Sequence, residues 1–219
     1  MKAILPSVTF AVLLIAGSLA PQVTFAGGKD LYDKGSQADE NGDYNTAVSY
    51  YDRAISSGDL SRVDLANVYY DRGLSLGRLK KREAAIDSYR DAITLDPRHY
   101  QALGSLCFQM TQLDQLDQAL HNCNKALDIE PTYAAGINIR AQIWQKKGQH
   151  DRAETDYRRA IQLDPKNWVL YYNLGNFYDI LKRAEDARRS YRDAFDRAPA
   201  WGRTHPSSSK IFKKYGLMN

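Results

Sequence analysis

Four prolines stand 34 residues apart: Pro97, Pro131, Pro165 and Pro199. Each closes a similar phrase: AITLDP, ALDIEP, AIQLDP and AFDRAP. Twelve residues before each proline sits an alanine (Ala85, Ala119, Ala153, Ala187), and eight before sits Tyr89, Cys123, Tyr157 or Tyr191. Five before sits another alanine (Ala92, Ala126, Ala160, Ala194). A fixed period of this length is the mark of stacked supersecondary units, none of which can bury its apolar face alone. No other property of the chain limits its fold as tightly.

The content of one period is helical. In YNTAVSYYDRAI the apolar and aromatic positions are Ala47, Val48, Tyr51, Ala54 and Ile55, the i, i+3, i+4, i+7 stripe of an amphipathic helix. Each proline stops its helix, because it lacks an N–H and its ring clashes with the preceding turn. Gly42 and Gly148 fall between the two helices of their units, where a tight turn favours positive φ. Small residues at Gly35, Gly73, Ala141 and Gly175 let paired backbones approach. An aromatic follows each proline within three residues (Tyr100, Tyr133, Trp168, Trp201), placed to pack back on the next helix as a staple.

The pattern resembles the tetratricopeptide repeat (TPR), W-x2-L-G-x2-Y…A-x3-F…P. The last unit matches most fully, with Tyr171, Leu174, Gly175, Tyr178, Ala187, Tyr191 and Pro199. The others give Tyr69, Gly73, Leu76, Ala85, Tyr89, Pro97; Leu103, Leu106, Cys107, Met110, Ala119, Cys123, Pro131; and Ile137, Ala141, Trp144, Ala153, Tyr157, Pro165. A degenerate first unit has Leu31, Gly35, Ala38, Ala47, Tyr51 and Ala54 but no closing proline, and carries four extra residues near Ser56–Val63. The resemblance implies an all-α, right-handed α-solenoid of helix–turn–helix units at 28–65, 66–99, 100–133, 134–167 and 168–199. Residues 200–219 read as a C-terminal cap over the last apolar face. A helix over Ser207–Tyr215 is expected there, with Ile211, Phe212 and Tyr215 on one face and Gly216 as its stop. Lys210, Lys213 and Lys214 read as its solvated outer face, a basic docking patch being the alternative.

Residues 1–26 are of another kind. Lys2 precedes an apolar run, Val8–Ala16, and Thr24-Phe25-Ala26 supplies the small residues of a signal-peptidase site before Gly27. This predicts a signal peptide over 1–26 and an exported chain, with the bacterial periplasm favoured by the lack of an N-x-S/T sequon. Secretion or an uncleaved N-terminal membrane anchor are the alternatives. Export permits disulfides. Cys107 and Cys123 occupy facing positions of one helix pair, so they read as a disulfide or as two small buried apolar residues.

Chemistry is sparse. No phosphate loop, dinucleotide fingerprint, H-E-x-x-H, nucleophile elbow or C-x-x-C is present. His99, His121, His150 and His205 fall in separate places, and Asp39–Asp43 lacks the Gly and Glu positions of a calcium loop. With 30 Lys+Arg against 26 Asp+Glu, charge is too balanced for a nucleic-acid footprint. The expectations are therefore no enzyme, no metal, no cofactor, no nucleic acid and no small-molecule substrate.

The 15 tyrosines divide by register. Tyr51, Tyr69, Tyr89, Tyr157, Tyr171, Tyr178 and Tyr191 are marks of the repeat. Tyr32, Tyr70 and Tyr172 share another position, which the resemblance places on a concave groove with Phe108, Asn138, Gln142, Asn173 and Asn176. The Lys/Asn clamp by which some TPRs hold a C-terminal carboxylate is missing, since Tyr32 and Tyr70 hold its leading Lys position. The resemblance implies a scaffold or adaptor that binds a peptide or helix of an envelope protein in this groove. A self-assembling module and, in last place, a redox dithiol subunit are the rival readings.

Overall fold

The computed structural model describes residues 27–218, so the signal-peptide reading of 1–26 lies outside it. Twelve helices and no strand are found among the described residues. Five antiparallel pairs follow one another: α1 (Gly28–Glu40) with α2 (Tyr44–Ser57), α3 (Arg62–Arg78) with α4 (Arg82–Leu95), α5 (Tyr100–Gln112) with α6 (Leu116–Ile129), α7 (Ala134–Lys146) with α8 (His150–Leu163), and α9 (Trp168–Ile180) with α10 (Ala184–Arg197). Two short helices close the stack, α11 (Ala200–Thr204) and α12 (Pro206–Lys214). Each pair packs on the next, giving an α-solenoid.

Every pair is joined by the same three-residue turn. Its middle residue is left-handed: Gly42 (φ 78°), Lys80 (60°), Asp114 (60°), Gly148 (72°) and Lys182 (58°). The residue after it donates its N–H back to a carbonyl five positions earlier at 2.9 Å, as Asp43 does to Ala38 and Arg183 to Tyr178. That bond satisfies a carbonyl the helix end would otherwise leave open. Glycine marks two of these turns. In the other three the hydrogen bond holds a residue with a Cβ in a costly conformation.

One contact sets the spacing inside a pair. Tyr51, Tyr89 and Tyr191 lie flat on Gly35, Gly73 and Gly175 of the facing helix, where an added Cβ would meet the ring at 2.5, 2.5 and 2.7 Å. These rings and Tyr157 are almost completely buried. Burying each stabilises the fold by roughly 1.5–3 kcal/mol, taking Phe as the guide for the ring. Core clusters run across unit boundaries: Val68 of α3 joins the cluster of α1 and α2, and Ile143 of α7 joins that of α3–α6. Arginines at one repeat position reinforce the stack. Arg72 bonds Asp52 and Ser88, both at 2.7 Å, and Arg140 clasps the buried Asp156 at 2.8 and 3.0 Å.

Three local expectations need revision. The four extra residues do not lengthen the loop near Ser56–Val63. They form an added first turn on α3, which has 17 residues where α1, α5, α7 and α9 have 13. Four residues are close to one turn, so the phase of the buried face survives. The tail holds α11 as well as the expected helix, which starts at Pro206, a residue suited to a first helical position. Lys214 is not merely solvated, because it pairs with Asp179 at 2.9 Å.

Candidate functional site

The first helices of the pairs form the inner row of the stack, where α1 touches α3 and α5 touches α7. Tyr32, Tyr70 and Tyr172 take equivalent places on it and are half-buried. Each ring also packs on the repeat tyrosine of its own pair: Tyr51 at 5.9 Å, Tyr89 at 6.1 Å and Tyr191 at 5.6 Å between centroids. Their tips reach to neighbours. The Tyr32 hydroxyl donates to Asp71 at 2.6 Å, and the Tyr172 hydroxyl donates to the Ser207 carbonyl at 3.3 Å. Tyr70 stacks on His99 at 4.8 Å. Tyr32 and Tyr172 therefore tie their units to the element that follows, while Tyr70 packs within its own.

The amides divide. Asn138 is 7% exposed and accepts a hydrogen bond from Asn173 at 3.2 Å, tying α7 to α9. Asn176 accepts the Tyr191 hydroxyl at 2.8 Å. Gln142 and Phe108 have freer side chains, and Phe108 is 39% exposed.

The middle of the groove is built differently from its ends. Position 104, where the tyrosines of units 1, 2 and 5 would put a ring, is glycine, and Tyr133 comes in from the end of the unit to fill it, 2.5 Å from where a Cβ of Gly104 would lie. Position 123, the repeat tyrosine elsewhere, is cysteine. Cys107 and Cys123 face each other, fully buried, with Cα atoms 5.4 Å apart and sulfurs at bonding distance, 2.08 Å. A hollow of about 290 Å³ lies between α3, α5 and α7, lined by Leu74, Arg78, Phe108, Gln109, Tyr133 and Ile139. Leu74, Arg78 and Ile139 were not read from the sequence as groove residues. The sequence marks the place in part: unit 3 alone lacks both rings, at Gly104 and Cys123, while unit 4 lacks one, at Asn138.

The ends of the groove carry carboxylates tied into the stack. Burial pushes the Asp71 carboxyl up, against the opposing pull of the Tyr32 hydrogen bond. Asp39 accepts the Ser75 hydroxyl. At the far end Asp179 takes hydrogen bonds from Lys214, Tyr191 and Tyr215. Burial works against its ionisation, but the bonds from Tyr215 and Lys214 outweigh that and hold its carboxyl below the usual range. No group of three or more His, Cys, Asp or Glu suited to a metal is found among the described residues. No helix among them is long and apolar enough to cross a membrane.

Comparison with known proteins agrees with this geometry. Models of the tetratricopeptide repeat match residues 66–99, 141–178 and 169–200. The crystal structure of TTC0263, a TPR protein of Thermus thermophilus, superposes with a TM-score of 0.73 at 19% identity, covering 88% of this chain and 100% of that one. YrrB, described as a TPR protein with an unusual peptide-binding site, superposes with a TM-score of 0.57 at 18% identity over 84% of this chain and 91% of its own. The type IV pilus assembly protein PilF of Pseudomonas aeruginosa is 28% identical over 108 residues, 49% of this chain and 41% of its own length. The chain spans less than half the length of the first curated relatives it matches, 18% in one case. Period, paired helices and matched repeats make the chain a tetratricopeptide-repeat protein.

Proposed function

We propose that the protein is a non-catalytic adaptor that holds a segment of another protein in its inner groove, anchored at the hollow between α3, α5 and α7. The hollow carries the reading. Tyrosine rings hold the equivalent floor position in units 1, 2 and 5 and Asn138 holds it in unit 4, whereas here Leu74, Phe108 and Ile139 leave apolar room for an inserted side chain. α5 has no charged residue along its whole length, and Gln109 supplies the lining with an amide able to bond a peptide backbone. An apolar anchor in a pocket with a polar rim is the arrangement that concentrates binding energy. The partner belongs to the cell envelope. The export signal read in residues 1–26 and the similarity to a pilus assembly protein support that placement. Cys107–Cys123 serves as a structural disulfide, both side chains being fully buried.

A peptide library selected on the chain tests the groove. Selected peptides share one apolar anchor and lose at least tenfold affinity on Phe108→Asp, a surface change that leaves the helical circular dichroism intact. Peptides that bind the variant as tightly as the parent would remove the hollow from the reading. Export and partner location are tested apart, by fractionating the native cells and crosslinking in the envelope fraction.

A further inference from the structure

The added turn of α3 has a visible purpose at the start of the chain's fold. It carries the loop Gly58–Ser61 past the beginning of α1. There Asp59 accepts the Gly28 N–H at 2.9 and 3.1 Å and the Ser57 hydroxyl at 2.6 Å. A Cβ on Gly28 would collide with Asp59, Ser57 and Leu60, and one on Gly27 would lie 3.2 Å from Asp59 Oδ2. Two successive glycines thus let the backbone settle on a carboxylate. Hydrogen bonds from Ser57 and Gly28 hold that carboxyl below its usual range, so it is charged at neutral pH, and no cationic side chain among the described residues contributes to this. Beside it lies an open hollow of about 610 Å³ bounded by Gly27, Leu31, Arg53 and Asp59. The turn itself is anchored: Arg62 donates to the Leu95 carbonyl at 2.7 Å, at the end of α4. Thr24-Phe25-Ala26, with its small residues at 24 and 26, stands directly before Gly27.

We propose that Asp59 is the receptor for a new amino terminus made by cleavage between Ala26 and Gly27. A peptidase that reads small side chains hydrolyses this peptide bond. One water is consumed, Ala26 keeps the carboxylate, and Gly27 gains an α-amino group that binds a proton at neutral pH. This ammonium stands one residue from the amide that Asp59 already holds and supplies the cation the carboxylate lacks. Processing then tightens the fold at the seam between α1, α2 and α3. The pair raises the α-amino pKa above its ordinary value of about 8. Its stabilisation is therefore present below about pH 8 and fades as pH rises through the raised value.

The test compares the chain beginning at Gly27 with one that retains Ala26, each with and without Asp59→Asn. The packed clusters all lie within residues 31–218, so these chains keep the whole fold. Asparagine can still accept the Gly28 N–H, so the substitution removes charge alone. The Gly27 chain should melt ~2–4 °C above the Ala26 chain at pH 7, the shift a modest ion pair gives in a domain of this size. Asp59→Asn should erase that gap, and so should pH 10. Equal melting temperatures, or a gap that survives Asp59→Asn, would overturn the receptor. The intact mass of protein recovered from an exporting bacterium reads the cleavage independently: a start at Gly27 supports it, and any other start refutes it.

Discussion

The third and fifth units use one backbone for two purposes. In the fifth, Tyr191 lies on Gly175, Tyr172 lies on Tyr191, and α12 seals them, with Phe212 between Tyr172 and Phe195. In the third, both ring positions are vacant: Gly104 and Cys123 stand there, Tyr133 replaces one ring, and a pair of sulfurs replaces the other. The fifth unit is covered by α12 and has a full floor. The third lies mid-array and has a hollow. The lesson is that a repeat can give up its aromatic lock where another tie holds the helices.

The largest test of this difference is to remove the rings. Tyr191→Ala should cost about 3–5 kcal/mol in urea unfolding, and Tyr133→Ala should approach it if Tyr133 has taken over the ring's role. A cost for Tyr133→Ala below about 1 kcal/mol would show that the sulfur pair alone holds the third unit. Next, Cys107→Ala with Cys123→Ala should cost about 3 kcal/mol, the worth of closing a loop of ~15 residues. Oxidised and reduced parent should differ by a similar amount, and the variant should not respond to reductant. Smaller still, Asp114→Gly and Lys182→Gly should each stabilise by roughly 0.5–1 kcal/mol, because both turns hold a left-handed residue with a Cβ. Equal gains are expected, since the turns are alike while the floors differ.

The last test is read only in acid. The Asp179 carboxyl is held below its ordinary value in the folded chain, so its contribution is present above about pH 4 and is lost as pH falls through the folded value. Asp179→Asn should flatten that part of the pH profile. The third unit has Thr111 at the equivalent place and should add no such slope. An acid transition unchanged by Asp179→Asn would place the sensitivity elsewhere.

Much of the fold is legible in the sequence, because its causes are local and repeated. Alanines and tyrosines in phase over four units demand stacked helix pairs, and the Gly–Tyr contacts follow from which small residue faces which ring. What stays hidden depends on neighbours. The burial of Asn138 comes from a partner in the next unit, Asn173, and no single-unit pattern reports it. The left-handed Lys80, Asp114 and Lys182 are held by backbone bonds, while residue type marks only Gly42 and Gly148. The rings missing at Gly104 and Cys123 are conspicuous only once units are laid over one another. Register places Tyr32, Tyr70 and Tyr172 at one shared position, but not the packing of each ring on its own pair's tyrosine, nor the reach of the Tyr32 and Tyr172 hydroxyls to the next element.

The cap has a consequence for how long such an array can be. Repeats present the same kind of face at each end, so nothing within a unit says where to stop. α12 says it, by spending Phe212, Lys214 and Tyr215 on the face where a further first helix would dock. In polymer terms it is an end-stopper. A chain cut after Pro199 would keep its five helix pairs and expose Tyr172, Tyr191 and Phe195 as a sticky terminus, and growth end to end between molecules would replace growth within one.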